Sequence, residues 1–208
     1  MFTTDRRGFL LASALAAPAL GLSGARAQAP ATDPRLGERS AGKADAPATA
    51  IEYFSLTCSH CAAFHRETWP QVKRELVETG KLRMVWREFP LDQLALSASV
   101  AARALPPERY EGFISALLGS QDRWAFARGV DSLGEIAKIA ALAGMSRADF
   151  DRAQADDGLK RGILQMRLQA EREHQVNSTP TFVFGSRVVP GEIPFERFAE
   201  NVRQNSRS

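Results

Sequence analysis

The feature that most restricts this chain is Cys58-Ser59-His60-Cys61, which holds both of its cysteines. It stands where one local pattern ends and another begins. Before it, residues 49–55 (TAIEYFS) are rich in β-branched and aromatic side chains and read as a buried strand. After it, Ala62, Phe64, His65, Trp69, Val72, Leu76 and Val77 recur at roughly helical spacing until Gly80 ends the run, and Pro70 inside it is expected to kink the helix. A structural zinc site takes four Cys or His ligands. Here the cysteines can be joined only from among His60, His65 and His174, and His60 lies between them. No metal is expected. A two-residue gap is also a poor structural disulfide, because the stabilisation grows with the loop closed. A redox dithiol is the chemistry this spacing serves, with the Cys58–Cys61 disulfide itself as the only cofactor.

Residues 82–88 (LRMVWRE) alternate apolar and charged and read as a second strand. Amphipathic helical segments follow at 94–104, 107–118, 132–143, 147–153 and 157–175. Residues 181–184 (TFVF) and 187–189 pair across a Gly185-Ser186 turn, and 194–205 close the chain as an amphipathic helix. An edge strand is expected near residues 35–39. The order is strand, C-x-x-C helix, strand, helical block, hairpin and final helix. This is an α/β thioredoxin fold with an all-helical domain inserted in its middle.

Glu52 to Cys61 (EYFSLTCSHC), Arg87 to Leu91 (REFPL), Thr179 to Phe182 (TPTF) and Val189-Pro190-Gly191 together resemble the DsbA-type thiol:disulfide oxidoreductases of the thioredoxin superfamily, in the subgroup common in alphaproteobacteria. The resemblance runs from about residue 46 to residue 202. It implies a thioredoxin-like domain of residues 49–90 and 176–205, with the helical insertion at 91–175. It implies a cis Thr179-Pro180 bond facing the cysteines, with Thr179 presenting backbone groups to an extended substrate. It also implies that Glu52, beneath the C-x-x-C, helps move the proton of the resolving thiol. Alternation sets Glu52 on the face of Phe54 and opposite Tyr53. The bland alternative is a plain ion pair of Glu52 with Arg83 or Arg87. His65 reads as structural or solvent-facing, and His174 as favouring the dipole near a helix C-terminus.

At the strand–helix seam the Cys58 sulfur faces unpaired N–H groups and the helix dipole, and His60 adds a donor or partial positive charge. Such settings bring a cysteine pKa down to about 3.5–7. A stabilised thiolate favours the reduced form and makes the disulfide an oxidant. Cys58 is then the exposed nucleophile and Cys61 the shielded resolving thiol. Ser59 tunes hydrogen bonding at Cys58.

The chain opens with Arg6-Arg7, an Ala-rich apolar run from about residue 9 to 22, and Ala25-Arg26-Ala27. Residues 1–27 resemble a twin-arginine export signal, although Asp5 stands where that motif usually has Ser or Thr. The run is too short to span roughly 30 Å of hydrocarbon. Residues 28–48 read as an N-terminal arm. Removing residues 1–27 takes away Arg6, Arg7, Arg26 and Asp5 and leaves 24 basic against 23 acidic side chains, from 27 and 24 in the whole chain. That balance offers no basic face for nucleic acid. The expectation is a soluble, monomeric, periplasmic dithiol oxidase that passes its disulfide to reduced exported polypeptides and is reoxidised by a membrane quinone-linked thiol oxidase. Two alternatives stay open: a disulfide isomerase or dedicated periplasmic reductase, and a non-redox thioredoxin-fold binding or chaperone module.

Overall fold

Strand β2 (Thr49–Phe54) lies at the centre of a five-stranded mixed sheet of order β1-β3-β2-β4-β5. The computed structural model describes residues 1–2 and 33–206. The export signal at residues 1–27 and the start of the arm at 28–32 fall outside the described residues, apart from Met1 and Phe2. Strand β3 (Arg83–Glu88) runs parallel to β2, and β4 (Thr181–Phe184) runs antiparallel to it. β1 (Arg39–Ala41) and β5 (Arg187–Pro190) pair antiparallel at the two edges. A parallel pair needs a long crossover. The helical stretch that begins at Cys58 supplies it.

That stretch changes pitch along its length. α1 (Ser59–Ala63) leads into a π turn at Phe64–Thr68, then α2 (Trp69–Val72), then a second π turn at Lys73–Val77. Pro70 has no N–H to offer the preceding turn. The turn ahead of it widens instead, and the Trp69 N–H reaches the Phe64 carbonyl. The expected accommodation of Pro70 is thus a change of helical pitch.

Helices α3 (Gln93–Ala104), α4 (Pro107–Leu118), α5 (Gln121–Trp124), α6 (Ser132–Leu142), α7 (Arg147–Gln154) and α8 (Asp157–His174) lie between β3 and β4 in the chain. Four of the five longer ones carry an Asp or Ser N-cap, namely Asp92, Asp131, Ser146 and Asp156. The sequence reading lacked α5, whose four residues are too few to show a period. After the β4–β5 hairpin, α9 (Phe195–Asn205) packs back on the sheet. Phe198 meets the rings of Phe182 and Phe184 edge-on at 5.5 and 5.1 Å. Gly185 takes φ +58 in the hairpin turn, a conformation that favours glycine.

One expectation shifts and one alternative falls. The edge strand is β1 at Arg39–Ala41, meeting the expected 35–39 only at its end, because Asp33 caps the Arg35 N–H at 2.9 Å and starts a short 3₁₀ helix over Pro34–Leu36. Glu52 pairs with neither Arg83 nor Arg87. The β2–β3 register sets those arginines beside Thr49 and Tyr53, on the other face, and sets Trp86 beside Glu52. Arg83 instead meets Glu38 at 2.6 Å, and Arg87 donates to the Tyr53 hydroxyl at 3.4 Å.

Candidate active site

Cys58 is the N-cap of α1, in extended conformation (φ −84°, ψ 120°). Its sulfur accepts the Cys61 N–H at 3.4 Å. Its carbonyl and that of Leu56 both accept from the Gln121 amide, at 3.0 and 2.7 Å, so α5 clamps the approach to the cysteines. Cys58 keeps 8 % of its surface exposed and Cys61 none. The pair is present as two free thiols.

The loop before β4 forms the opposite wall. The Thr179–Pro180 peptide is cis. The Thr179 carbonyl lies 3.2 Å from Cys58 Sγ and accepts from it in the thiol form. The Thr179 hydroxyl is buried without a partner. It is thus free to donate to a thiolate. The Gly191 N–H binds the Pro180 carbonyl at 2.7 Å, which ties Val189-Pro190-Gly191 to the same wall.

The two sulfurs titrate in opposite directions. Cys58 falls from its ordinary value near 9 to about 5. The largest cause is the hydrogen bond from the Cys61 thiol; burial opposes it, and the Thr179 side chain and the N–H groups of Cys61 and His60 add to it. Cys61 is pushed well up by burial, then by its hydrogen bond and proximity to the Cys58 sulfur, then by the Glu52 charge. One proton is therefore held on the inner sulfur while the outer one is free to attack.

His60 contributes its backbone N–H to Cys58, but its imidazole points outward. The side chain is 73 % exposed, with Nδ1 3.3 Å from Glu192 Oε2. The Thr68 hydroxyl holds the adjoining loop by donating to the Ile193 carbonyl at 3.3 Å. Ser59 is exposed, and no hydrogen bond from its side chain to Cys58 occurs. The expected help from the imidazole is thus not what the structure shows, and replacing His60 by Leu, which keeps the backbone N–H, is expected to leave the Cys58 midpoint nearly unchanged. Thiolate absorbance against pH measures this. A rise of a pH unit or more would give the imidazole a direct part in holding the thiolate.

Glu52 is fully buried, and its partner is His65, Nε2 to Oε2 at 3.0 Å. The sequence offered no sign of this pair, since thirteen residues separate them. Exposed Leu91 and Phe126 stand on loops bonded to Ser55 and Gln121. The Leu91 N–H lies 3.4 Å from Ser55 Oγ, and the Phe126 N–H binds the Gln121 carbonyl. A surface cavity of about 460 Å³ is lined by His60 and Thr179, which flank Cys58 in the site, together with Glu67, Thr68, Gly191, Glu192 and Pro194. Among the described residues no cluster of three or more His, Cys, Asp and Glu could hold a metal ion.

A family model described as thioredoxin matches residues 35–204. The chain belongs to this thioredoxin family. A relative in Rickettsia bellii, named "Putative protein-disulfide oxidoreductase", is 28 % identical over 142 residues, covering 68 % of this chain and 54 % of that protein. The chain thus spans about half the length of the curated relatives it matches. Among solved structures, alpha-DsbA1 of Wolbachia pipientis is 26 % identical with a TM-score of 0.75, covering 82 % of this chain and 91 % of that one. A protein-disulfide isomerase of Novosphingobium aromaticivorans (22 % identity, TM-score 0.71, 83 % and 98 % covered) shares the fold. This thioredoxin-family chain therefore has the DsbA-like architecture, with helices inserted between the parallel strand pair and the closing hairpin.

Proposed function

We propose that the chain is a protein-disulfide oxidoreductase working as a dithiol oxidase on exported polypeptides. The observation that carries this is the placement of the two sulfurs: Cys58 caps α1, accepts the Cys61 N–H and faces the Thr179 carbonyl, while Cys61 is fully buried, which brings the first down to about 5 and pushes the second well up. In the oxidised form a substrate thiolate attacks Cys58 Sγ. The Cys58–Cys61 bond breaks and Cys61 takes the electron pair and then a proton. A second substrate thiolate attacks the substrate sulfur of the mixed disulfide and releases Cys58 as a thiolate. Two electrons pass from substrate to enzyme, and a substrate disulfide remains. The low Cys58 pKa makes it a good leaving group in that last step.

The sign of the pH effect follows. A depressed pKa stabilises the reduced form fully above the ordinary value near 9, and that stabilisation is lost as pH falls through about 5. At neutral pH the reduced form is favoured, so the disulfide oxidises. Thr179 and Pro180 receive an extended substrate segment by backbone pairing, and the exposed Leu91 and Phe126 offer apolar footing for an unfolded chain. The oxidising compartment this requires agrees with residues 1–27 acting as a twin-arginine signal and with a periplasmic site of action. Reoxidation by a membrane quinone-linked thiol oxidase closes the cycle. No helix among the described residues is long and apolar enough to cross a membrane.

The test sets the oxidised protein against two substrates, one reduced and unfolded, the other with scrambled disulfides. Stoichiometric transfer to the reduced substrate, with little rescue of the scrambled one, is expected. The reverse pattern would make the chain an isomerase.

A further inference from the structure

The exchange proposed above makes no use of His65, yet His65 is buried almost as deeply as Cys61, four residues before it. Its side chain is 3 % exposed, on the π turn Phe64–Thr68. The rings of Phe54, Phe64 and Trp69 surround it with centroids 6.2, 5.7 and 6.3 Å away. Glu52 from β2 is the titratable group bonded to it, and Cys61 stands four residues earlier in the same helical stretch. Among the described residues Glu52 is the only charged side chain bonded to His65. Two polar atoms of the pair are buried without a partner, Glu52 Oε1 and His65 Nδ1.

Those two atoms decide where the protons sit. An imidazolium, or a carboxylic acid donating to Nε2, places an N–H on Nδ1, buried with no acceptor. A neutral ring that donates Nε2–H to Oε2 strands no donor and leaves Oε1 as the acceptor without a partner. We infer that His65 is a positioning residue, which by donating Nε2–H to Oε2 fixes the Glu52 carboxyl group and leaves Oε1 as the oxygen open to the Cys61 proton. This rests on the dithiol reading above. When Cys61 resolves a mixed disulfide at Cys58, its proton passes to Oε1. Its sulfur bonds Cys58 Sγ, and the partner thiolate leaves with the electron pair of the broken bond. The His65 hydrogen bond to Oε2 survives that protonation. The Glu52 charge is near enough to Cys61 to act on its thiol.

The test mixes reduced protein with glutathione disulfide, quenches rapidly, and times mixed-disulfide formation at Cys58 apart from its resolution by Cys61. His65→Leu is expected to slow resolution about tenfold at pH 7, below the usual general-base contribution because the base itself remains. The deficit shrinks as pH rises. His65→Gln, which keeps an N–H donor, restores most of the rate. Equal resolution rates and pH profiles in wild type and His65→Leu would overturn the inference. A wild type that forms no mixed disulfide would instead overturn the dithiol reading on which it rests. If the variants do not fold, the imidazole ¹⁵N spectrum of the reduced wild type decides. A neutral Nε2–H ring at pH 7 is expected, and an imidazolium or an Nδ1–H ring contradicts it.

Discussion

Replacing Cys58 by Ala is expected to bring disulfide transfer to the uncatalysed rate, whereas Cys61→Ala is expected to halt the reaction at a mixed disulfide. The asymmetry follows from burial and protonation. Cys58 is the sulfur with open surface, and its low pKa keeps it a thiolate at neutral pH. Cys61 has no exposed surface and holds its proton, so no polypeptide thiol reaches it. Without Cys58 the inner sulfur cannot substitute. Without Cys61 the outer sulfur still attacks a disulfide, but nothing inside the protein releases the adduct. Mass spectrometry of each variant after incubation with a model disulfide measures this. The expected products are no adduct for Cys58→Ala and a persistent adduct for Cys61→Ala. A lasting adduct on Cys61 in the first variant would reverse the assignment of nucleophile and resolving thiol.

Truncating Glu88 to Ala is expected to cost on the order of 3–5 kcal/mol of stability. Glu88, at the end of β3, accepts from Arg103 Nε and Nη2 at 2.6 and 2.5 Å and from the Tyr110 hydroxyl at 2.6 Å. Glu88 and Arg103 have side chains only 1 % exposed. Arg103 Nη1 also donates to the Gly37 carbonyl at 2.5 Å, so one guanidinium joins the sheet, α3 and the N-terminal arm. Removing the carboxylate strands a buried cation and a buried hydroxyl together. Replacing both charges, as Glu88→Leu with Arg103→Met, is expected to cost much less, since buried ion pairs gain little over apolar packing. Denaturant unfolding of the single and double variants measures the difference. A single-variant loss under about 1 kcal/mol would mean that the cluster reorganises or hydrates.

The parts of the fold that could be read in advance are those encoded locally. The strand of residues 49–54 shows in its β-branched and aromatic run, and the longer helices show in their period and caps. The C-x-x-C declares its chemistry because its two sulfurs are near neighbours whatever the fold. What stayed hidden depends on register. Glu52 meets His65 across thirteen residues, and Glu88 meets Arg103 across fifteen. Each pair is set by which faces β2 and β3 present, and not by any local pattern. Gln121 reaches the carbonyls of Leu56 and Cys58 from a four-residue helix that shows no period. His60 stands out in the sequence by its place between the cysteines. That its ring turns to Glu192 depends on a loop fixed 132 residues further along the chain.

The most direct test of the central claim is the equilibrium of the Cys58–Cys61 pair with glutathione. Holding the proton on Cys61 and the charge on Cys58 stabilises the dithiol form, so a strongly oxidising potential near the DsbA end, about −120 mV, is expected. A value near the thioredoxin end, about −270 mV, would contradict the oxidase account and make the chain a reductase.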